Sequence, residues 1–510
     1  MSDAELCLAI DLGTGGPKIG LVGLDGAVLD FEHHGVATAF GDDGAATQDA
    51  DEWWTLITGA ARRLMARPGL ARERVVAVAV TGQYASTVPV DANGRPTGPC
   101  LTWQDRRGGA HVRRAVGGPV QGYRPRALWR YVSRTGGAPS TSGADPVGQI
   151  LYLTHDEPDV AARTRWFMEP VDYLTMRCTG VATATHASRF LVFMTDNRHL
   201  DRFAYDEGLA GLAGIDTAKL PPLVAFGSVV GSLTATAAAE LGLREGVAVV
   251  TGMPDVHAAA VGSGATSLYQ THVALSTSSW ISCPVPSKKL DAFHSIVTIP
   301  GLTNDSYLML NNQESGAKSL EWLRSTLAGT GEPPSYDDLT AMAATSPPGS
   351  RGVTFAPWLA GERSPRDSRR VRGAFTSLSV TTTTPDLARA VMEGVAANSA
   401  WLLGYAERFA GRRLEPLRLL GGGATSRLWC QIFADTLARD VERVPAPMIA
   451  QLRGAALVAA AALGQRRLDE PVGVPGEKFS PNPDFADVYA ARRDDLPKLF
   501  ARERSWARRR

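Results

Sequence analysis

The chain has 510 residues, 44% of them apolar and 21% charged. Lys and Arg exceed Asp and Glu by 53 − 52 = 1. Read from net charge, that balance excludes a basic nucleic-acid binder and an acidic solvating chain. At ~150 residues per domain the length predicts two or three domains, large enough to fold without disulfide or metal staples. The cysteines, Cys7, Cys100, Cys178, Cys283 and Cys430, are odd in number, widely spread and form no C-x-x-C. They fit buried thiols in a reducing compartment rather than a zinc site. The start, Met1-Ser-Asp-Ala-Glu-Leu, carries acids where a signal peptide has bases. No apolar run reaches the ~18 residues of a membrane helix, so the expectation is a cytoplasmic protein with neither membrane nor nucleic acid as partner.

In chain order, Leu6 to Ile10 and Ile19 to Leu24 are apolar runs flanking Asp11-Leu-Gly-Thr-Gly-Gly-Pro-Lys18. The pattern predicts a strand, a glycine hairpin and a strand, with a third strand over Ala27 to Phe31. Lys18 is conspicuous as the only lysine before Lys219. Asp49 to Met65 reads as a helix capped by Asp49 or Asp51, with Trp53, Ile57, Ala60 and Leu64 on one face and Pro68-Gly69 as its stop. Val75 to Val80 is an uncharged run suited to a central strand, leading into Thr81-Gly82-Gln83-Tyr84. Gly136 to Pro146 is a loop, and Val247 to Thr251 a second buried strand ending at Gly252-Met-Pro-Asp255. Thr271 to Leu275, the Ser276-Thr-Ser-Ser279 loop and the strand from Trp280 repeat the opening theme, which places a domain boundary near 260–266. A helix from Pro385-Asp386 to about Phe409 follows. Then come a strand at Leu417 to Leu420, a Gly421-Gly-Gly423 loop, a helix capped by Ser426 and an Ala-rich helix at Gln451 to Leu463. Beyond it lies a Pro-rich loop and a basic helix, with Arg508-Arg-Arg510 as a frayed end.

The first glycine loop is a tight turn or an anion cradle, with Thr14 and Lys18 adding a hydroxyl and a cation. It is not a dinucleotide fingerprint, because Gly13-x-Gly15 lacks the third glycine and a strand follows where that motif needs a helix. A Walker loop, G-x-S-x-G and H-E-x-x-H are all missing from the sequence. Asp11 beside the loop is either a turn-capping acid or, next to phosphate, a magnesium ligand. Asp255 is either a helix cap or a general base. Three glycines at 421–423 give either flexibility or a flat surface for an adenosine.

Five segments occur in order: Asp11-Leu-Gly-Thr14 with Lys18; Gly82-Gln83 with Trp103-Gln-Asp105-x-Arg107; Gly252-x-x-Asp255; Pro357-Trp-Leu-Ala-Gly-Glu-Arg-Ser-Pro365; and Gly421-Gly-Gly423-Ala424 with Ser426. Together, over about residues 6–465, they resemble the FGGY carbohydrate kinases. The resemblance implies an α/β fold of two actin-like, ribonuclease H-like domains around a cleft: 1–262 binding sugar and the first phosphate loop, 263–468 binding ATP, and 469–510 as a tail. It implies ATP and Mg²⁺ as cofactors, a small sugar or polyol as partner and, from family habit, a homodimer. Asp255 would be the base, and Asp11 with Asp255 the metal ligands. Gln83, Tyr84, Trp103, Asp105 and Val256 would face the sugar. Gly13, Thr14, Lys18, Thr277, Ser278, Gly316, Gly421, Gly422, Gly423, Ala424 and Ser426 would line the nucleotide. The expected reaction is ATP-dependent phosphorylation of a ketopentose such as D-xylulose. Ribulose, erythritol, other polyols and a non-catalytic binding protein stand as alternatives. Departures from the xylulokinase pattern are Tyr84-Ala85 in place of Met-His, Val256 in place of Asn, Gln149 in place of the Lys of the first signature, and Ser276 and Ser279 in place of glycines. Extra side chains in that second loop either crowd the phosphates or add hydroxyl donors.

Overall fold

The computed structural model describes residues 4–68, 72–472 and 475–509. The expectations resting on Met1 to Asp3, on Gly69 and on Arg510 therefore lie outside the described residues. In the first domain the Leu6–Gly13 and Gly16–Gly23 strands form the predicted hairpin, and Val28–His33 extends it. Gly16 has φ +126°, and a Cβ there would overlap the carbonyl of His34. Only glycine closes this turn without strain. The uncharged Val75–Gly82 run lies centrally, parallel to Leu6–Gly13 on one side and to Ala248–Val250 on the other. The Ala50–Met65 helix is capped by Asp49, and its predicted stripe of Trp53, Ile57, Ala60 and Leu64 is fully buried against one sheet face.

The second domain repeats this plan, and the parallels confirm the repeat read from the loops. Thr271–Leu275 and Ser279–Ser282 form an antiparallel hairpin, with Leu417–Leu420 and Val441–Arg443 added in parallel. Ser279 belongs to the second strand of the hairpin rather than to its loop. The long Thr384–Ala410 helix fills the core behind this sheet.

One helix from each domain covers the other domain's sheet. Asp255–Gly262 packs with Ala274, Leu420 and Val444 of the second domain. Ala450–Ala462 lays Leu452, Ala455, Ala456 and Ala459 on Cys7, Ala9, Ala77 and Ala79 of the first. Where the two helices cross, their backbones touch: a Cβ on Gly262 would overlap the carbonyl of Ala450, and one on Gly454 that of Ala258. Beside the crossing, the buried Arg453 donates to the carbonyls of Gly26 (3.2 Å), Gly262 (3.2 Å) and Pro445 (2.7 Å). One side chain thus ties a first-domain turn, the crossover and the second domain.

Two expectations change. The described residues within 469–510 are not a tail: Glu477–Phe479 pairs with Val441–Arg443 as the edge strand of the second sheet. The Ala486–Ala507 helix buries Tyr489, Leu496 and Phe500, the last two against Trp358 and Ala397. Three buried side chains on an otherwise polar helix give too thin an apolar stripe to recognise in sequence. The antiparallel segment from Pro284 to Leu310, although second-domain in sequence, also leans on the first domain. Lys288 Nζ donates to the carbonyls of Val132 (3.0 Å) and Ser133 (2.9 Å), and Tyr307 donates to that of Asn197 (2.7 Å). All five cysteines are buried and free, as expected of small apolar thiols. Among the described residues no helix is long and apolar enough to cross a membrane.

Candidate active site

Strand register brings the first-domain residues together. Lys18 faces Asp11, Asp11 faces Thr81, and Thr81 faces Met253 across three successive pairings, with Pro254 opposite Gly82. Neighbouring strands lie about 4.8 Å apart. Asp11, the Gly82-Gln83 turn and Asp255 therefore share one crevice at the carboxyl ends of parallel strands, the usual ligand position of an α/β sheet. Asp255 is the first residue of its helix. Pro254 holds the cap position and no side chain caps the end, so the capping reading of Asp255 does not apply. Burial and then the Asp11 carboxylate push the Asp255 carboxyl up to about 7, opposed by the Val256 N–H and by Lys18. Lys18 Nζ lies 3.0 Å from Asp11 Oδ2, and this carboxylate holds the ammonium above its ordinary range. Asp11 thus pairs with a cation rather than with a turn amide.

Around this floor, Gln83 Nε2 donates to Gln48 Oε1 (3.0 Å), and Gln48 Nε2 donates to the carbonyl of Thr14 (2.8 Å). Trp103 Nε1 donates to Thr14 Oγ1 (3.1 Å), so the first phosphate-loop candidate and the indole candidate are in contact. Tyr84 is partly exposed; burial raises its phenol above the usual range, and Asp255 adds to the effect while Arg363 of the second domain opposes it. Two sugar-site candidates lie elsewhere. Asp105 is fully buried and accepts from the Ala46 N–H (3.0 Å) and the Arg107 guanidinium (2.7 Å), so its carboxylate organises the turn behind the crevice. Val256 is 2% exposed in the core shared by the two domains. One helical residue is a 100° rotation, which turns Val256 away from the side Asp255 presents. Val256→Asn is accordingly expected to bury an unpaired amide, lowering stability by about 1–3 kcal/mol with little change in sugar KM. Urea unfolding beside steady-state kinetics checks this.

In the second domain the two candidate nucleotide loops adjoin at strand ends. A Cβ on Gly421 would come within 2.6 Å of the Leu275 carbonyl and of Ser276 Oγ. Of the three glycines, Gly422 alone faces open space, and Gly423 makes room for Leu275 and Trp429. The triple glycine thus serves close loop packing at two positions and leaves a bare surface at one. Ala424 is buried, and Ser426 caps the Arg427–Leu437 helix as predicted, accepting from Trp429 N at 3.2 Å. Gly316 N donates to the carbonyl of Thr277 (3.0 Å), and a Cβ there would meet the carbonyls of Ser276 and Ser278. Ser279 Oγ donates inward to the Ala274 carbonyl (2.9 Å), so this added side chain does not crowd the loop surface, where Thr277 is exposed. In the Pro357–Pro365 motif, Glu362 accepts from the N–H groups of Glu314 (3.0 Å) and Arg363 (2.9 Å) and from Asn398 (2.6 Å), joining that motif to the Gly316 loop.

Sequence reasoning missed Gln48 and Glu169, the second of which accepts from Ser86 N (3.1 Å) behind the Gln83-Tyr84 turn. Each acts through a partner dozens of residues away, where spacing carries no signal. For a metal, the donor set is two carboxylates, and among the described residues no group of three or more His, Cys, Asp or Glu could hold one. That fits Mg²⁺, which takes one or two carboxylates together with substrate phosphates and water.

Models of the FGGY family of carbohydrate kinases match the chain almost throughout, the N-terminal domain at residues 6–262 and the C-terminal domain at 260–463. A xylulose kinase of Staphylococcus epidermidis is 29% identical over 497 residues, covering 95% of this chain and 94% of its own length. A gluconokinase of Bacillus subtilis is 24% identical over 469 residues, 90% of this chain and 88% of its own. Among solved structures, xylulose kinase from Rhodospirillum rubrum superposes with a TM-score of 0.81 at 24% identity, covering 99% of this chain and 100% of its own. This last likeness shows the two-domain fold.

Proposed function

This chain belongs to the FGGY family of carbohydrate kinases, a sugar kinase by that membership, and on that premise we propose that it transfers the γ-phosphoryl group of ATP to a hydroxyl of a ketopentose such as D-xylulose. The observation that carries the reading is the pair Asp11 and Asp255 in one crevice, with Asp255 uncapped and poised near 7. Asp255 takes the proton of the attacking hydroxyl. A carboxyl titrating near neutrality is partly ionised in the cell's pH range and still basic enough to accept a proton. Gln83, Tyr84 and Trp103 orient the sugar above it. The loops at Gly13–Thr14 and Ser276–Ser278 approach the phosphates, with Lys18 as a local cation, and Gly422 lies under the adenosine. Asp11, with Asp255, would hold Mg²⁺, which supplies charge neutralisation at the transferred group. Most of the remaining task is alignment, and closure of the two domains would exclude water from it.

A second reading within the class is a kinase of another ketose or a polyol. Ala85 is buried and lies at φ 65°, so this turn offers no imidazole beside Tyr84, where the xylulokinase pattern has one. Coupled ADP release across D-xylulose, L-xylulose, ribulose, erythritol, glycerol and gluconate decides between them. Preference for D-xylulose is the expected result, and higher kcat/KM on another sugar selects the second reading. Background turnover on every sugar would sink both.

A further inference from the structure

The turn that carries Tyr84 is held from both sides by buried groups outside the crevice. Glu169 follows the Trp166–Met168 strand, whose Met168 pairs with Val88, so register sets it behind Ser86. It occupies the N-cap position of the Pro170–Thr179 helix, yet its side chain does not cap that helix. Instead Oε2 accepts the Ser86 N–H at 3.1 Å, the Ala85 N–H also points to this carboxylate, and Oε1 has no partner. On the other side Gln149 Nε2 donates to the carbonyls of Ala85 (3.0 Å) and Thr102 (2.9 Å), while its Oε1 accepts from Thr87 (2.7 Å). Ala85 between them is left-handed at φ 65°, a conformation that a residue with a Cβ adopts only when it is held there. Both clamping residues are fully buried. Burial pushes the Glu169 carboxyl well above the usual carboxylate range, and Arg189, itself 1% exposed with Nε and Nη2 unpaired, opposes that shift. A fully buried carboxyl set beside a buried guanidinium is a demanding way to hold one turn, and the turn held is the one whose tyrosine feels the Asp255 carboxylate.

We propose that Glu169 is a positioning residue for sugar selection: with Gln149 it fixes the Tyr84–Ser86 backbone, and so the place of the Tyr84 ring above Asp255. This inference rests on the sugar-kinase reading. Glu169→Asp keeps the carboxyl group but withdraws it by one methylene, whereas Glu169→Gln keeps an acceptor at full reach. For the Asp variant the expected result is at least a tenfold loss of kcat/KM for the preferred sugar and a changed ranking across the panel. ATP KM should stay within twofold, and amide exchange at Ala85 and Ser86 should run about tenfold faster. The Gln variant should retain the ranking. If the Asp variant fails to fold, Gln149→Ala, which releases the carbonyl side, should give the same sugar-only change. An unaltered ranking, or equal losses in the sugar and ATP parameters, overturns the proposal. If the wild-type protein phosphorylates no sugar, the kinase reading falls by itself. Amide exchange then judges the clamp, faster in the Asp variant supporting it and equal rates overturning it.

Discussion

Asp255→Asn is expected to lower kcat for sugar phosphorylation by about 10²–10⁴, the range that a positioned general base contributes. The substitution keeps size and helix position while removing the proton acceptor, so the fold should be unaffected. Asp255 caps nothing in the native structure, and its loss relieves the crowding of two carboxylates in one crevice. Relief of that crowding even predicts a small gain in thermal stability. Nucleotide affinity, read by calorimetry with ADP, should hold within a few-fold because the candidate adenosine surface at Gly422 belongs to the second domain. Turnover within tenfold of wild type would remove Asp255 from the role of base. It would also leave its raised pKa as a by-product of burial.

The other large effect is structural. Gly454→Ala is expected to destabilise the protein by about 3 kcal/mol or more, at or above the upper end of ordinary overpacking. The added methyl would overlap the carbonyl of Ala258, and on the facing helix the carbonyl of Ala450 already abuts Gly262. Flexible side chains can step aside, but two helix backbones in contact can separate only by lifting Ala450–Ala462 from the first-domain sheet. Gly404→Ala is the control. Gly404 lies within the Thr384–Ala410 helix, where a Cβ meets nothing within 4 Å. This substitution should stabilise by about 0.5–1 kcal/mol through helix propensity alone. Chemical denaturation of both variants provides the test, and equal stabilities would show that the crossing tolerates a side chain.

Much of this arrangement was legible in the sequence wherever the signal was local. The hairpin around Gly13–Gly16, its counterpart around Ser276, the central Val75–Val80 run and the Ser426 cap each depend on residues within one element. The carboxylates Asp11 and Asp255 could be picked out because each ends a buried strand. The sequence failed where a side chain's direction or distant partner decides. Val256 adjoins the candidate base but is rotated into the core, and Asp105 turns inward to Ala46 and Arg107. Glu169 finds its partner 83 residues upstream. The final helix is legible as a helix but not as part of the domain, because its buried contacts come from residues as far back as Trp358.

The exchange of covering helices has a consequence for synthesis on the ribosome. The strands of the first domain are complete by Pro254, yet the helix that closes one face of their sheet is Ala450–Ala462. Roughly 200 further residues must be translated before that face can be covered, about 10–40 s at 5–20 residues per second. Throughout that interval the emerging chain presents a bare face with Cys7, Ala9, Ala77 and Ala79 beside the larger Val22, Leu24 and Val250. The four small side chains keep part of that face shallow, so it offers less for a wrong partner to grip while the right one is still being made.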